Sequence, residues 1–250
     1  MLVDERREGI LEIVESRGFA SLNDLANGVG ASESTVRRDL EYLDRIGQVR
    51  RTRGGAAFVG ESLTAFDVRK QRAAAEKERI GVRAAELIES GETIILDGGS
   101  TTLEVAKNLN GKTLQVVTNS LPILTHLVGA SQIELIALGG YLYPKTGVAL
   151  GELTISALKQ IHARRLVMSV GGMTAMGLFN SNSLLVETER QMIESAEEVI
   201  VVADAGKLGH SELAHLAALD IVDKLVVDAG ITPEWQQIAH DHGIEVVIAN

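Results

Sequence analysis

From residue 93 onward, short apolar segments of strand length alternate with helical segments, and this alternation constrains the fold more than any other feature of the chain. The predicted strands are 93–97, 114–118, 133–138, 165–170, 199–203, 224–227 and 245–248. Apolar strands joined by helices form a mostly parallel sheet with helices on both faces, because such strands bury both of their sides. Aromatic residues make up only 3% of the chain, so we expect an aliphatic core.

The N-terminal segment follows a different pattern, with three predicted helices before a hairpin. The first helix spans 4–17, and a second begins at Ser21, where Asp24 completes a capping box. Ser32 is placed to cap the third helix, since its hydroxyl can accept from unpaired backbone amides. A helix, a short glycine-containing turn and a capped second helix are typical of a helix-turn-helix, here over about 20–39.

The third helix has two chemically different faces. Val36, Leu40 and Leu43 recur at four- and three-residue spacing and form an apolar stripe. Hydroxyl and guanidinium side chains occupy the other side and its flank: Ser34, Arg37, Arg38 and Arg45. Such a face suits the major groove of DNA, where Arg can donate to guanine O6 and N7. The alternative is the solvated face of an ordinary helix.

A Gly54-Gly55 turn flanked by β-branched residues predicts a hairpin over 48–58. It carries three arginines, Arg50, Arg51 and Arg53. We interpret it as the wing of a winged helix that contacts phosphates beside the groove. Winged helices are also used for protein contacts, and that alternative stays open.

The formal charge of −10 is unevenly distributed along the chain. Between Val36 and Gly54 there are six arginines and three acids, which gives this segment a charge of +3. A basic segment on an acidic body can still bind DNA, because phosphate attraction extends over about a Debye length, ~8 Å at physiological salt.

Composition excludes several other classes of protein. The chain has no cysteine, which excludes disulfides and cysteine-based metal or nucleophile sites. No apolar run reaches the ~18 residues of a spanning helix, and the charged start is unlike a signal peptide. We therefore expect a cytoplasmic protein without a membrane partner.

The change of pattern along the chain predicts its domain limits. Residues 1–58 form the winged helix-turn-helix domain, and residues 59–75, which are rich in charge and have little apolar periodicity, form a linker. Residues 76–250 form the larger α/β domain.

Small polar residues follow most of the predicted strands, and ligands of open α/β sheets bind outside the carboxyl ends of strands. The segment 97–102, Asp-Gly-Gly-Ser-Thr-Thr, leads from the first strand into a helix. Its backbone amides, hydroxyls and helix dipole could cradle a phosphate. Lys207 could add a point charge, while Asp97, Glu187 and Asp204 could accept from sugar hydroxyls. Each glycine pair alone is more typical of a turn, but their convergence at one sheet edge favours a ligand site.

Other kinds of site find no support in the sequence. Neither a GxGxxG fingerprint nor a Walker A loop is present, so we expect no nucleotide cofactor. His240 and His242 lack further ligands at metal-binding spacing, and no G-x-S-x-G elbow occurs. We expect no metal and no catalytic residues.

The ordered set of motifs resembles the DeoR family of bacterial transcription regulators. The similarity covers essentially the whole chain and is carried by 21–25, 35–40, 53–56, 76–77, 97–102, 117–120, 138–140, 187–190, 204–207 and 228–230. The resemblance implies a C-terminal sensor related in fold to sugar-phosphate isomerases and amino-sugar-phosphate deaminases. It also implies that a phosphorylated sugar alters the affinity for double-stranded operator DNA, usually in repressors that assemble as homodimers or homotetramers.

Together, the motifs and the resemblance define two sets of expected binding residues. Those expected at DNA are Ser21, Ser32, Ser34, Thr35, Arg37, Arg38, Arg50, Arg51, Arg53, Gly54 and Gly55. Those expected at the effector are Asp97, Gly98, Gly99, Ser100, Thr101, Thr102, Thr118, Asn119, Gly139, Gly140, Gly171, Gly172, Asn182, Glu187, Asp204 and Lys207.

The chain departs from the family pattern at two places. Arg53 stands where the family often has His, and Gly171-Gly172 follows Val170 where the family often has Ala-Asp-Gly. The second change removes a possible ligand-binding Asp, and the polar segment 180–183 is where we expect specificity for the sugar.

We therefore expect a DNA-binding regulator, a repressor of a carbohydrate-metabolism operon, rather than an enzyme. The alternative is a sugar-phosphate isomerase or deaminase with a DNA-binding appendage, in which Asp97, Glu187, Asp204 and Lys207 supply acid–base groups.

Overall fold

The computed structural model describes residues 3–17, 19–46, 48–52, 54–58 and 66–250. The chain divides into two compact units, Met1–Ala65 and Phe66–Asn250. Among the described residues, no helix is long and apolar enough to cross a membrane.

The first unit is a three-helix bundle with a small antiparallel sheet. Its elements are α1 (Val3–Arg17), β1 (Phe19–Ser21), α2 (Leu22–Val29), α3 (Glu33–Arg45), β2 (Val49–Thr52) and β3 (Gly55–Phe58). The capping box of Ser21 and Asp24 starts α2, and Gly30, with a φ of +62°, ends it. Ser32 caps α3, and the apolar stripe of that helix is buried together with Ile10 and Leu25. The predicted helices and hairpin are confirmed.

The strand β1 was not predicted, because a three-residue strand carries little sequence signal. It pairs with β3, so that the sheet order is β1-β3-β2. Gly55 permits this pairing, since a Cβ at that position would lie 2.0 Å from the carbonyl oxygen of Ala20. The backbone amide of Leu22 also donates to the carbonyl oxygen of Gly54 at 2.9 Å.

The second unit is a parallel sheet between two layers of helices. It begins with α4 (Phe66–Gln71), α5 (Ala74–Glu86), β4 (Thr93–Leu96), α6 (Ser100–Lys107), β5 (Leu114–Thr118), α7 (Leu121–Leu127), β6 (Ile133–Ala137), β7 (Tyr141–Tyr143), β8 (Val148–Leu150) and α8 (Glu152–Leu158). It continues with β9 (Ala163–Met168), β10 (Gly172–Thr174), β11 (Gly177–Asn180), α9 (Ser183–Glu194), β12 (Ala196–Val202), β13 (Ala214–Ala217), β14 (Lys224–Asp228), α10 (Pro233–Asp241) and β15 (Glu245–Ala249).

All of the predicted strands lie in one seven-stranded parallel sheet, of order β15-β14-β12-β9-β4-β5-β6. Ile95 and Val117 belong to the core on one face, whereas Ile94, Leu96 and Val116 belong to the core on the other. The predicted α/β class, with helices covering both faces, is confirmed. The hairpin β7–β8 and the small sheet β10-β11-β13 were not predicted.

The segment 59–75, which the sequence assigned to a linker, contains structure in its second half. Helix α4 occupies Phe66–Gln71, and α5 begins at Ala74. Phe66 packs against the core cluster that contains Ile80 and Ile94. Residues 59–65 lie outside the described residues.

Candidate DNA-binding surface and effector site

The N-terminus of α3 presents a cluster of hydroxyl groups. Ser32 Oγ lies 2.9 Å from both Ser34 Oγ and Thr35 Oγ1, and it accepts a hydrogen bond from the Thr35 backbone amide at 3.3 Å. Ser32 and Ser34 are exposed, and Thr35 is half-buried. These groups are available for phosphates or base edges.

Two arginines extend from the exposed side of α3, opposite Val36 and Leu40. Arg37 lies 3.8 Å from Glu33, and both side chains are more than half exposed. Arg38 is exposed, and the described residues offer it no ion-pair partner. Because an exposed single pair contributes little energy, either guanidinium can turn to DNA at small cost.

Asp39, in contrast, belongs to the packed side of the helix. Its carboxylate accepts from Arg6 Nε at 2.7 Å and from Arg7 Nε at 3.1 Å, and the side chain is 4% exposed. In the sequence, Asp39 is one of the three acids that reduce the positive charge of residues 36–54. Its pairing with α1 removes that acid from the surface, so the exposed side of α3 is more positive than the formal charge of +3 for residues 36–54 indicates.

The wing lies beside α3. Arg50 and Arg51 are exposed on β2, and Arg51 Nη1 pairs with Glu41 Oε1 at 3.1 Å. A depression of about 330 Å³ separates the wing from the helix and is lined by Leu22, Arg37, Leu40, Arg51, Thr52 and Gly55. Arg37 and Arg51 therefore line the same depression between α3 and the wing. Gly54 is exposed at the turn, Ser21 is committed to the cap of α2, and Arg53 lies outside the described residues.

In the second unit, the polar segments that follow β4, β5, β9 and β12 meet, because these strands are neighbours in the sheet. Asp97, Thr118, Asn119 and Asp204 are all buried there. Asn119 Nδ2 donates to the carbonyl oxygen of Ala149 at 2.9 Å, and Thr118 Oγ1 accepts from the Ser120 amide at 3.1 Å.

Two buried carboxyl groups of this region, Asp97 and Glu189, lie close enough for their charges to interact, and we call them the acid pair. Burial raises the pKa of Asp97 to about 6, although hydrogen bonds from the amides of Gly98 and Ser169 and the charges of Arg69 and Lys207 oppose the rise. Burial, followed by repulsion from Asp97, raises the pKa of Glu189 well above its usual range. Asn180 Nδ2 donates to Glu189 Oε1 at 2.6 Å.

The acid of α9 that lies in the interior is not Glu187, which we expected to bind the effector. Glu187 is exposed, and Glu189 is the buried carboxyl group that interacts with Asp97. Glu189 lies in helical register with Leu185 and Met192, which are buried on the same side. That register was the available signal, because an acid within an apolar stripe faces the core.

Lys207, which we expected to supply a point charge to a phosphate, is buried and anchored to the backbone. Its Nζ donates to the carbonyl oxygen of Val170 at 2.6 Å, and the residue is 7% exposed. Its charge still acts on Asp97. The lysine therefore links the loop after β9 to the acid pair.

The glycines of the 97–102 segment have a packing role. A Cβ on Gly98 would lie 2.0 Å from Val148 Cγ1, and a Cβ on Gly99 would lie 1.9 Å from Ser169 Oγ. The Gly99 amide donates to Thr102 Oγ1 at 2.7 Å, and that hydroxyl has the carbonyl oxygen of Asp97 within 2.7 Å. Thr102 thus holds the loop closed and occupies the Gly99 amide, one of the backbone amides that we expected to bind an anion.

Other expected effector residues have structural partners. Gly139 and Gly140 are exposed after the edge strand β6, and Thr154 Oγ1 donates to the Gly139 carbonyl at 2.8 Å. Asn182 caps α9 by accepting from the Leu184 amide at 2.9 Å. A Cβ on Gly172 would lie 2.3 Å from the His210 carbonyl oxygen, and the Gly171 amide donates to the Phe179 carbonyl at 3.0 Å.

Several buried oxygens of this region lack a hydrogen-bond partner within the part of the chain that the structure describes. They are Thr101 Oγ1, Asn119 Oδ1, Ser181 Oγ, Glu189 Oε2 and Asp204 Oδ2. Buried polar atoms are almost always paired in folded proteins, and an unpaired one costs about 1–3 kcal/mol. Their concentration around one acid pair is typical of a site for a polar ligand.

Glu189→Gln is expected to stabilise the folded chain at pH 8 and to change its stability little at pH 5. A carboxyl group whose pKa is higher in the folded state binds its proton more tightly there. The free energy of unfolding therefore falls as the pH rises from the unfolded pKa, about 4, through the folded one. Glutamine is neutral at every pH, so this loss should disappear. Thermal unfolding at pH 8 should give a higher Tm for the variant than for wild type, and the difference should shrink toward pH 5.

The control for this prediction is Glu187→Gln, which removes an exposed acid from the same helix. It should leave the Tm unchanged at both pH values. Equal stabilisation by Glu189→Gln at pH 5 and pH 8 would contradict the assignment of a raised pKa.

Comparison with known proteins agrees with both units. A family model described as the DeoR-like helix-turn-helix domain matches residues 6–62, and one described as the DeoR C terminal sensor domain matches residues 72–229. The uncharacterized HTH-type transcriptional regulator YulB of Bacillus subtilis is 33% identical over 98% of this chain and 96% of that protein. The glycerol-3-phosphate regulon repressor of Escherichia coli is 31% identical over 97% of each chain.

Solved structures give more distant matches. Ribose 5 phosphate isomerase A from Neisseria gonorrhoeae aligns with a TM-score of 0.41 and 16% identity over 55% of this chain and 54% of that chain, a likeness too low to carry an argument. The curated relatives are regulators and not enzymes, so the alternative of an isomerase or deaminase with a DNA-binding appendage is set aside. The two family models and the full-length relatives show that this chain belongs to the DeoR family of transcriptional regulators.

Proposed function

We propose that the protein is a repressor of a carbohydrate-metabolism operon and that a phosphorylated sugar bound at the Asp97 site controls its affinity for operator DNA. The observation that carries the proposal is the set of buried, unpaired oxygens around Asp97 and Glu189. A phosphorylated, polyhydroxylated ligand offers hydroxyl donors to the carboxyl and amide oxygens of this set and phosphate acceptors to its hydroxyl groups. The names of two relatives, the glycerol-3-phosphate regulon repressor and the HTH-type transcriptional repressor GlcR, support the direction of regulation.

The proposed binding mode divides the ligand between two kinds of group. Ser100 and Thr101 begin α6, so their hydroxyls and the helix N-terminus would receive the phosphate. Asp97, Asn119 and Asp204 would accept from the sugar hydroxyls. Neither role requires the Gly99 amide, which Thr102 already occupies.

We also propose a homo-oligomer, dimer or tetramer, that acts in the cytoplasm, where operator DNA is found. Helix-turn-helix proteins read two half-sites through paired domains. The edge strand β6 exposes Ile136, α7 exposes Leu121, and Val128 is exposed at the C-terminal cap of α7, which supports contact between copies. Light scattering of the purified chain would test this, and a monomer at micromolar concentration would contradict it.

The effector proposal predicts that a phosphorylated sugar will stabilise the protein and release it from DNA. The panel is glycerol 3-phosphate, ribose 5-phosphate, fructose 6-phosphate and glucosamine 6-phosphate, each with its unphosphorylated counterpart as a control. Thermal unfolding would report binding, because a ligand at about 100 times its Kd stabilises the folded state by ~2.7 kcal/mol. Fluorescence anisotropy with the promoter region next to the protein's own gene would report DNA release.

Two results would overturn the proposal. Absence of sequence-specific DNA binding, with or without the panel, would reject the regulatory assignment to that promoter region. Stabilisation by unphosphorylated sugars equal to that by the phosphates would reject the assignment of a phosphate-binding part.

A further inference from the structure

The first helix of the second unit, α4, is fastened to the neighbourhood of the acid pair. The Phe66 amide donates to the carbonyl oxygen of Lys145 at 3.2 Å, in the loop between β7 and β8. Strand β8 contains Val148, the residue that covers Gly98. Helix α4 is thus bound to the hairpin that closes over the Asp97 loop.

The other end of α4 is held by a buried lysine. Lys77 is 1% exposed, and its Nζ donates to the carbonyl oxygen of Arg69 at 2.6 Å. An ammonium group at the last turn of a helix satisfies a carbonyl that has no partner within the helix. This bond uses the backbone of Arg69 and leaves its side chain to other contacts.

The Arg69 side chain is directed toward the interior of the second unit. Its Nε and Nη2 atoms are shielded from solvent, and its guanidinium lies 5.5 Å from the Phe66 ring centroid. Helix α4 packs against α6, which starts with Ser100 and Thr101. The guanidinium lies close enough to Asp97 for the two charges to interact.

We propose that Arg69 is a binding residue of the effector site and that it tightens α4 against the second unit when a phosphorylated ligand is present. The inference rests on the proposed function and adds to it a residue outside the loops that follow the strands. Arginine suits this role, because its planar guanidinium can donate two parallel hydrogen bonds to a phosphate. A phosphate at the start of α6 would compete with Asp97 for that guanidinium, and Lys207 would remain near the acid.

The position of α4 in the chain gives this contact a regulatory meaning. Phe66 is the first residue of the second unit, and the chain reaches it directly from the DNA-binding unit. A ligand that binds the Arg69 guanidinium therefore acts on the helix that begins the second unit.

The test uses the full chain and three variants with the phosphate panel named above. Arg69→Gln removes the charge, Arg69→Lys keeps a charge without the planar fork, and Lys70→Gln removes an exposed cation from the same helix as the matched control. Affinity is measured by thermal unfolding against ligand concentration, and hydrogen exchange reports the protection of the 66–71 amides. All variants retain the backbone carbonyl that Lys77 binds.

We expect Arg69→Gln to bind the stabilising phosphate roughly ten- to hundredfold more weakly than wild type and to lose the ligand-induced protection of 66–71. Arg69→Lys should fall between the two, and Lys70→Gln should match wild type. If Arg69→Gln and Arg69→Lys bind with wild-type affinity, the role of Arg69 is wrong while the proposed function stands. If no phosphate stabilises the wild type, the proposed effector control fails, and this inference fails with it.

Discussion

Arg38→Ala is expected to weaken binding to the operator by ~1–3 kcal/mol, roughly ten- to hundredfold, while binding to unrelated DNA changes far less. Arg38 projects from α3 on the side away from its buried stripe, and the described residues give it no competing ion pair. Its guanidinium is therefore free to make the bidentate contact to guanine that carries sequence information. Anisotropy titrations with operator and scrambled duplexes would measure both affinities.

Arg51→Ala is the matched variant on the wing. Arg51 is paired with Glu41 and lines the groove beside α3, a position suited to phosphate contact. Its loss should weaken operator and scrambled DNA about equally and reduce the salt slope of log K by about 1. Equal losses on both duplexes for Arg38→Ala would show that Arg38 contacts phosphate and not a base.

Asp39→Ala is expected to destabilise the DNA-binding unit by about 2–3 kcal/mol. The substitution removes the shared acceptor of Arg6 and Arg7, which join α1 to the packed side of α3. Arg7, on α1, also stacks with its guanidinium carbon 3.7 Å from the centre of the Tyr42 ring of α3. Loss of the Asp39 carboxylate should therefore loosen this contact between the two helices as well. A small unit has little stability to spare, and specific DNA binding should weaken with it.

Native-state hydrogen exchange of the α3 amides in the full chain would measure this loss. The chain has a single tryptophan, Trp235, in the second unit, so its fluorescence melt serves as an internal control and should not change. Glu41→Ala removes an exposed acid from the same helix and should cost less than about 0.5 kcal/mol. A similar loss for both variants would contradict the special role of Asp39.

The strands of the large sheet could be predicted because each is a continuous apolar run that must be buried on both sides. The segments β10, β11 and β13 could not, because they contain three or four residues and pair with one another away from the main sheet. The hydrogen bonds of a short antiparallel sheet depend on which segments the fold brings together. That information is not local in the sequence.

The candidate effector site could also be predicted only in part from the sequence. Asp97 and Lys207 follow strands, and strand ends converge by topology, so their burial near each other follows from the class of fold. The burial of Glu189 and the exposure of Glu187 depend on the rotation of α9 about its axis, for which the apolar stripe of the helix was the available signal. Asp39 pairs with Arg6 and Arg7, which lie 33 and 32 positions earlier in the chain. No rule of sequence spacing predicts such a pair.

The pairing of β1 with β3 has a consequence for how the protein leaves DNA. Gly55 lies against the Ala20 carbonyl, and the Leu22 amide binds Gly54, so the wing is joined by backbone contacts to the start of α2. Bending the wing away from the helices would break several main-chain hydrogen bonds at once. We therefore expect the helices and the wing of the DNA-binding unit to move as one rigid body. A regulatory signal should then change the placement or spacing of this unit on the operator without altering its internal structure.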